Sequence, residues 1–190
     1  RVVGHFRRAV PSSPVPRASM TLRPAEQLRD AKVFITGGAG FIGSTLATRL
    51  VDDNQVTIYD NFARDAMAST SLGSHPNVQV IRGDILELDH LTEAMRGHSH
   101  VVHCAAIAGI DTVILSPVTT MRVNMIGSAN VLEAAAKLDS CQRVVCFSTS
   151  EVFGQHAFRS SEADSTVMGH VGEARWTYAV SKLAEEHLAI

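Results

Sequence analysis

Lys32-Val33-Phe34-Ile35-Thr36, followed at once by Gly37-Gly38-Ala39-Gly40-Phe41-Ile42-Gly43, is the stretch on which the reading of the fold turns. The first five residues read as a short buried strand, the glycine run as a sharp turn. Beyond it Ile42, Leu46 and Leu50 recur at helical spacing. Working outward, the hydrophobic period keeps switching. Residues 56–60, 78–81, 100–104 and 143–148 read as further strands. Between them Leu88, Leu91 and Met95 mark one face of a helix within 84–97, and Ser116-Pro117 opens another expected to reach about residue 138. A last helix is expected over 178–189. Short β-rich runs alternating with longer helical ones predict an α/β fold, a doubly wound parallel sheet of Rossmann type with helices on both faces.

Composition limits what such a fold does. The chain has 190 residues, 45% hydrophobic and 19% charged, with a net charge of −2. That is a globular balance with no basic excess for a nucleic-acid partner. No apolar run reaches the roughly 18 residues of a membrane helix. Three cysteines without a Cys-x-x-Cys spacing argue against a disulfide framework or zinc ribbon and for a reduced, cytoplasmic protein. His98, His100 and His103 cluster in sequence, but strand alternation puts His103 on the opposite side from the other two, so no metal site is expected. Cys104 and Cys146 in buried strands read as small hydrophobes, and Met121 and Met125 as core.

Charge is uneven. Residues 1–25 hold five of the 17 basic side chains, four of the six prolines and none of the 19 acids, which leaves the rest of the chain at net −7. Residues 1–29 are therefore set apart as a disordered or upstream extension (a transit segment and a true start at Met20 both stay open), and 30–190 as the folded domain.

The glycine turn is the first chemical signal. Gly37, Gly40 and Gly43 let the backbone turn and approach a pyrophosphate, while the following helix offers free amides and a partial positive charge. Asp60 ends the second strand 23 positions after Gly37, where a carboxylate binds ribose hydroxyls and repels a 2′-phosphate. This argues for NAD over NADP. The second signal is Tyr178-Ala-Val-Ser-Lys182, which puts a phenol and an ammonium on one helix face. A cation about 4 Å from a phenol is worth about 4 kcal/mol at an effective dielectric near 20, enough to make tyrosine a usable base.

These residues, with Gly83-Asp84-Ile85, His103-Cys-Ala-Ala106, Asn124 and Ser148-Thr-Ser-Glu-Val-Phe-Gly154, resemble the extended short-chain dehydrogenase/reductase family, the nucleotide-sugar epimerases and dehydratases, over about residues 31–190. The resemblance implies an enzyme that binds NAD and a nucleotide-diphosphate sugar. It oxidises the sugar C4 hydroxyl transiently, then epimerises, dehydrates or decarboxylates, and returns the hydride. It implies that Gly37, Gly40, Phe41, Ile42 and Gly43 hold the pyrophosphate, that Asp60 meets the adenosine ribose, and that Asp84 and Ile85 meet adenine. Ala105 and Ala106 are small because the cofactor passes close by. Tyr178 is the base, Lys182 binds the nicotinamide ribose and tunes it, Thr149 bonds the substrate hydroxyl, and Asn124 is structural. Thr149-Ser150-Glu151 resembles the triplet of UDP-glucuronate decarboxylases and GDP-mannose 4,6-dehydratases. If the strand persists, Glu151 shares a side with Thr149 and either removes the C5 proton or orients nearby backbone. The stretch from Arg175 to Lys182 is similar to bacterial UDP-glucuronate decarboxylases.

The resemblance also implies a homodimer through a helix bundle built on 117–138 and 178–189, and a smaller substrate domain beyond the helix of Tyr178. Ile190 follows Lys182 by eight residues, so the chain is expected to be truncated before that domain and inactive alone. The competing class is an NAD-binding sensor or scaffold without turnover. Residues 155–172 read as a substrate-facing loop.

Overall fold

The computed structural model describes residues 2–3, 27–155 and 157–190. The segment set apart as 1–29 lies mostly outside the described residues. Its Val2–Val3 (β1) pairs antiparallel with β6.

The remaining strands are β2 (Lys32–Thr36), β3 (Gln55–Asp60), β4 (Val78–Arg82), β5 (His100–His103) and β6 (Arg143–Phe147), in sheet order β1-β6-β5-β2-β3-β4. All pairings among β2 to β6 are parallel. The predicted doubly wound sheet is thus the observed one. Its direction of build-up reverses between β2 and β5, and ligand crevices in such sheets open at that point, above the carboxyl ends of the strands.

Period-two alternation along β2 sorts the core onto the two faces. Val33 and Ile35 pack with Val56, Ile58 and Val102 against Ala47 of α1 (Phe41–Leu50) and Val51 just past its end. Phe34 points the other way, with Tyr59, Val101 and Val144, onto Leu91 and Met95 of α2 (Leu88–Met95) and Val131 and Leu132 of α5 (Gly127–Ala136). β2 and β3 are buried almost throughout, because both sheet faces are covered.

Several local expectations are corrected. A short helix, α3 (Ile110–Leu115), precedes α4 (Pro117–Met121). The long helix then passes through a π-helical turn (Arg122–Ile126) before α5. The wider turn carries Asn124 fully inward and leaves Met121 and Met125 only half-buried, so they are not core residues. Ile42, at the start of α1, is 52% exposed and faces the crevice described below. β6 stops at Phe147, and Ser150–Phe153 is a 3₁₀ turn rather than strand. Residues 155–172 contain no helix or strand among those described, and their far side is tied down by the Val167 amide donating to the Val152 carbonyl (2.9 Å). Chain ends with α6 (Thr177–Leu188).

A candidate dinucleotide crevice and the Tyr178 helix

A crevice of about 520 Å³ opens at the switch point. Its wall gathers Gly37, Gly40, Phe41, Ile42 and Gly43 from the first turn, Asp60 from the end of β3, Asp84 and Ile85 after β4, and Ala105 and Ala106 after β5. Ten residues singled out across 70 positions of sequence thus share one cavity.

The three glycines differ in why they are glycine. Gly37 has φ +67°, and a Cβ there would lie 2.5 Å from the Ala105 nitrogen. A Cβ on Gly43 would lie 2.4 Å from the Gly37 carbonyl oxygen and 2.6 Å from the Gly38 Cα. Both are demanded by the protein's own packing. Gly40 is another matter. Its φ of −71° and ψ of 172° suit any residue, and a Cβ would meet only the Gly37 oxygen, at 3.3 Å. What a side chain at Gly40 would occupy is the crevice. The helical ladder of α1 begins with the Ser44 amide donating to the Gly40 carbonyl (2.9 Å), so the amides of residues 41, 42 and 43 lie ahead of it at the positive end of the helix. This cradle fits a pyrophosphate.

Asp60 does structural work that its position in sequence did not reveal. Its Oδ2 accepts from the Ala39 amide in the glycine turn (2.9 Å), and its Oδ1 accepts from the Phe62 amide (2.7 Å). Asp60 is 8% exposed, and its carboxylate knits the turn after β2 to the turn after β3. Phe62 sits at φ +61°, an unfavoured conformation for an aromatic residue that the Asp60 bond helps to hold. Asp84 likewise caps its own turn, its Oδ1 accepting from the Leu86 amide (2.9 Å). Ile85 is set by Gly127, where a Cβ would fall 2.3 Å from the Ile85 Cδ1.

Sequence reasoning missed several wall residues, among them Tyr59, Asn61, Arg64, Thr112 and Val123. The Tyr59 hydroxyl donates to the Asp84 carbonyl (3.0 Å), and burial with the nearby Glu87 and Asp84 charges pushes its pKa up to about 12. Arg64 Nη2 donates to the Ala108 carbonyl (3.2 Å), joining the segments that follow β3 and β5. Tyr59 abuts Asp60 in sequence and was the findable one. Arg64 gave no local signal.

Thr149, Tyr178 and Lys182 do not line the crevice wall. Thr149 ends the extended segment after β6, and its Oγ1 accepts from the Glu151 amide (3.3 Å). Glu151 therefore shares a turn with Thr149 rather than a strand face, which corrects the expected alternation. It lies close enough to Tyr178 for its charge to act on the phenol.

The largest correction concerns Lys182. Its Nζ donates to Glu185 Oε2 at 2.7 Å, and both side chains are all but fully buried, 3% and 2% exposed. The charges acting on the half-buried Tyr178 hydroxyl are carboxylates, Glu185 and Glu151. With burial, the larger cause, they push its pKa up rather than down. The expected easing of the phenol by the ammonium is not realised in this arrangement.

Behind the Lys182 pair runs a buried polar chain. The Ala105 amide donates to Thr36 Oγ1 (3.4 Å), which is 2.6 Å from His103 Nδ1, and His103 Nε2 is 3.0 Å from Ser128 Oγ. The single Ser128 hydroxyl proton is shared between the Asn124 carbonyl (2.5 Å) and Glu185 Oε2 (3.2 Å). Ser128 has only acceptor capacity left for His103, so the network assigns the imidazole proton to Nε2 and makes Thr36 the donor to Nδ1. Complete burial, helped by the Lys182 charge, holds His103 neutral with its pKa lowered to about 3. Asn124 is structural, as expected: its Oδ1 accepts from the Ile107 amide (2.8 Å) and its Nδ2 donates to the Ile107 carbonyl and Ser181 Oγ, both 3.0 Å.

No group of three metal-ligating side chains occurs among the described residues. His98 is instead bonded to Thr57 Oγ1 (2.8 Å) and the Met95 carbonyl (2.9 Å). Cys104 and Cys146 are thiols pushed up to about 12, chiefly by burial, in keeping with packing residues. No helix among the described residues is long and apolar enough to cross a membrane.

Fold and crevice together define a doubly wound dinucleotide-binding domain. Residues 33–190 match the NAD dependent epimerase/dehydratase family, and the chain belongs to it. It is similar to the UDP-N-acetyl-alpha-D-glucosaminuronate decarboxylase of Bacillus cytotoxicus, 37% identical over 160 residues, an alignment covering 84% of this chain and 49% of that protein. Among solved structures it is similar to the UDP-N-acetylglucosamine 4-epimerase from Methanobrevibacter ruminantium in complex with UDP-N-acetylmuramic acid. That match has TM-score 0.75 and 28% identity, over 84% of this chain and 49% of that one. It is also similar to a variant of UDP-glucuronic acid 4-epimerase from Bacillus cereus in complex with NAD and UDP-4-deoxy-4-fluoro-glucuronic acid. Here the TM-score is 0.70 and the identity 30%, over 83% and 50% of the two chains. The chain spans about half the length of the curated relatives it matches first.

Proposed function

We propose that this chain is the NAD-binding and proton-transferring part of a nucleotide-sugar epimerase, dehydratase or decarboxylase. The observation that carries the reading is Gly40. Its backbone would accept any residue, and the space a side chain would take is the crevice beside the free amides of α1. Gly37, Gly40, Phe41, Ile42 and Gly43 would hold the pyrophosphate, Asp60 the adenosine ribose, and Asp84 and Ile85 the adenine. Ala105 and Ala106 keep the wall shallow. A bound nicotinamide supplies reversible two-electron oxidation of a sugar carbinol.

The chain's own residues do the rest. Tyr178 is the proton-transferring group, Lys182 its activator and ribose ligand, and Thr149 the partner of the substrate hydroxyl. Thr149 Oγ1 uses one lone pair on the Glu151 amide and keeps its proton free to donate. Once C4 is a ketone the C5 proton is acidified, and in the dehydration or epimerisation branches Glu151 would be the carboxylate that takes it. Its turn with Thr149 and its charge on Tyr178 support that role as they do the alternative of orienting nearby backbone. Decarboxylation of a uronic-acid sugar is the branch supported by the similarity to the Bacillus cytotoxicus enzyme. The sensor reading gains no feature of its own from the fold. A homodimer is part of the proposal, supported by Val118 (80% exposed) and Ile126 (51%) along the 117–136 helix and by Val180 and Leu188 on α6. So is residence in the cytoplasm, in keeping with three free cysteines.

The test is calorimetric titration with NAD and NADP, followed by incubation with UDP-glucuronate, UDP-N-acetylglucosaminuronate and dTDP-glucose while the reduced-nicotinamide absorbance is followed. NAD binding at least about tenfold tighter than NADP binding is expected, and a transient signal from one sugar would show that these residues carry out the hydride step without the substrate domain. Binding of neither dinucleotide would refute the assignment.

A further inference from the structure

We infer that Glu185 is a positioning residue that withholds the Lys182 ammonium from Tyr178, so that the phenol becomes an effective base only when Lys182 leaves Glu185. The inference rests on the catalytic reading of Tyr178 and Lys182 above. Its basis is geometric. Lys182 and Tyr178 are four residues apart on α6 and share a face, yet Lys182 Nζ donates to Glu185 Oε2 at 2.7 Å in the protein interior.

Stability does not account for the pair. A buried Lys–Glu ion pair gains little over well-packed apolar side chains of the same volume, because both charges lose their water. Beyond Lys182 and Ser128 on Oε2, the Glu185 carboxylate has only the Cys146 thiol, a weak donor, and Oε1 accepts from no nitrogen or oxygen among the described residues. An arrangement that costs solvation and leaves the carboxylate so weakly compensated calls for another role.

The surroundings supply one. Glu185 Oε2 is held by Ser128 as well as by Lys182, and Ser128 belongs to the chain through His103 and Thr36 to the Ala105 amide on the crevice wall. Glu185 is thereby anchored from α5 and β5, and the mobile partner is the four-carbon stem of Lys182. The charged and titratable groups around the pair are His103 from β5, the thiols of Cys104 and Cys146 from β5's end and β6, and Glu186 of α6, which lines one small cavity with Lys182 and Glu185 and accepts from Ser148 Oγ. Those acting on Tyr178 are Glu185 and, from the turn after β6, Glu151. None of these is a second cation. Lys182 is the ammonium that could ease the phenol, and Glu185 holds it.

The chain contains two tyrosines, so tyrosinate absorbance in a Tyr59→Phe background reports Tyr178 alone. The experiment is a pH titration of that chain and of the same chain carrying Glu185→Gln, with neither dinucleotide nor sugar present. Removing the carboxylate charge and freeing Lys182 should lower the Tyr178 midpoint by about one pH unit or more. Glu185→Met, an apolar residue of similar volume, should do the same, while Glu185→Asp, which keeps the charge, should not. An unchanged midpoint in the glutamine and methionine variants, with native circular dichroism, would overturn the inference. So would failure of both to fold, since that would make the pair a structural requirement. Because no ligand is involved, a shifted midpoint in a chain that binds no dinucleotide would sink the proposed function and leave this inference standing.

Discussion

His103 offers a quantitative test of the buried network. The imidazole is fully buried between Thr36 and Ser128, and its pKa is lowered to about 3. In the unfolded chain it returns to the ordinary value near 6.5. Because the folded value lies below the unfolded one, the unfolded chain binds the extra proton between these limits. The stabilisation is therefore complete above about pH 6.5 and is lost as pH falls. At pH 5 the unfolded chain has gained about 1.5 pH units of protonation free energy that the folded chain cannot match, which is about 2 kcal/mol. Urea unfolding at pH 7.5 and pH 5, followed by circular dichroism, measures it when the wild type is compared with His103→Gln, which keeps a donor and an acceptor but does not titrate. Other titrating groups, including His98 and His100, whose values burial also lowers, are common to both chains and cancel. The wild type should lose about 2 kcal/mol more than the variant between the two pH values. Equal losses would show that His103 is not held neutral, and the hydrogen-bond assignment from Thr36 to Glu185 would fall with it.

Gly43→Ala should cost about 1–3 kcal/mol, since its Cβ would press on the backbone of Gly37 and Gly38, and calorimetry should show melting lowered by roughly 5 °C. Asp60→Asn replaces one charge-assisted acceptor of the Ala39 and Phe62 amides. It should lose about 1.5–3 kcal/mol in denaturant unfolding and narrow the preference for NAD over NADP. Tyr178→Phe should cut nucleotide-sugar turnover by about 10²–10⁴-fold and leave the NAD dissociation constant within about threefold of wild type, because Tyr178 does not line the crevice. Equal loss of binding and turnover would remove Tyr178 from its assigned role.

The fold was legible because its signals are local. Val33, Phe34 and Ile35 beside a glycine turn leave few alternatives, and the same holds for the other parallel strands. The crevice was legible for the same reason: its wall residues sit at strand ends, where chain direction alone brings them together. What escaped depended on rotamers and on small changes of backbone pitch. Spacing put Tyr178 and Lys182 on one face of α6 but said nothing of which neighbour the lysine stem would choose, and Glu185, one turn on, won it. Asp60 was read by its charge, whereas its oxygens are engaged by two backbone amides. Met121 and Met125 read as core on an unbroken α period, which the π turn at 122–126 interrupts. α3 is six residues long and starts from Gly109 at φ +106°, too short for a periodic signal.

A dinucleotide seated in the crevice above Gly40 leaves no room for a side chain there, and Gly40→Val puts this to the proof. The backbone at this position, φ −71° and ψ 172°, suits a side chain, and an added Cβ crowds only the Gly37 carbonyl oxygen, at 3.3 Å, which must give by a few tenths of an ångström; the variant should fold, with melting lowered by about 2–4 °C. Calorimetric titration with NAD should then show affinity reduced at least about tenfold, the loss expected when a side chain fills a pyrophosphate cradle. A folded Gly40→Val chain that binds NAD as tightly as the wild type would contradict the account.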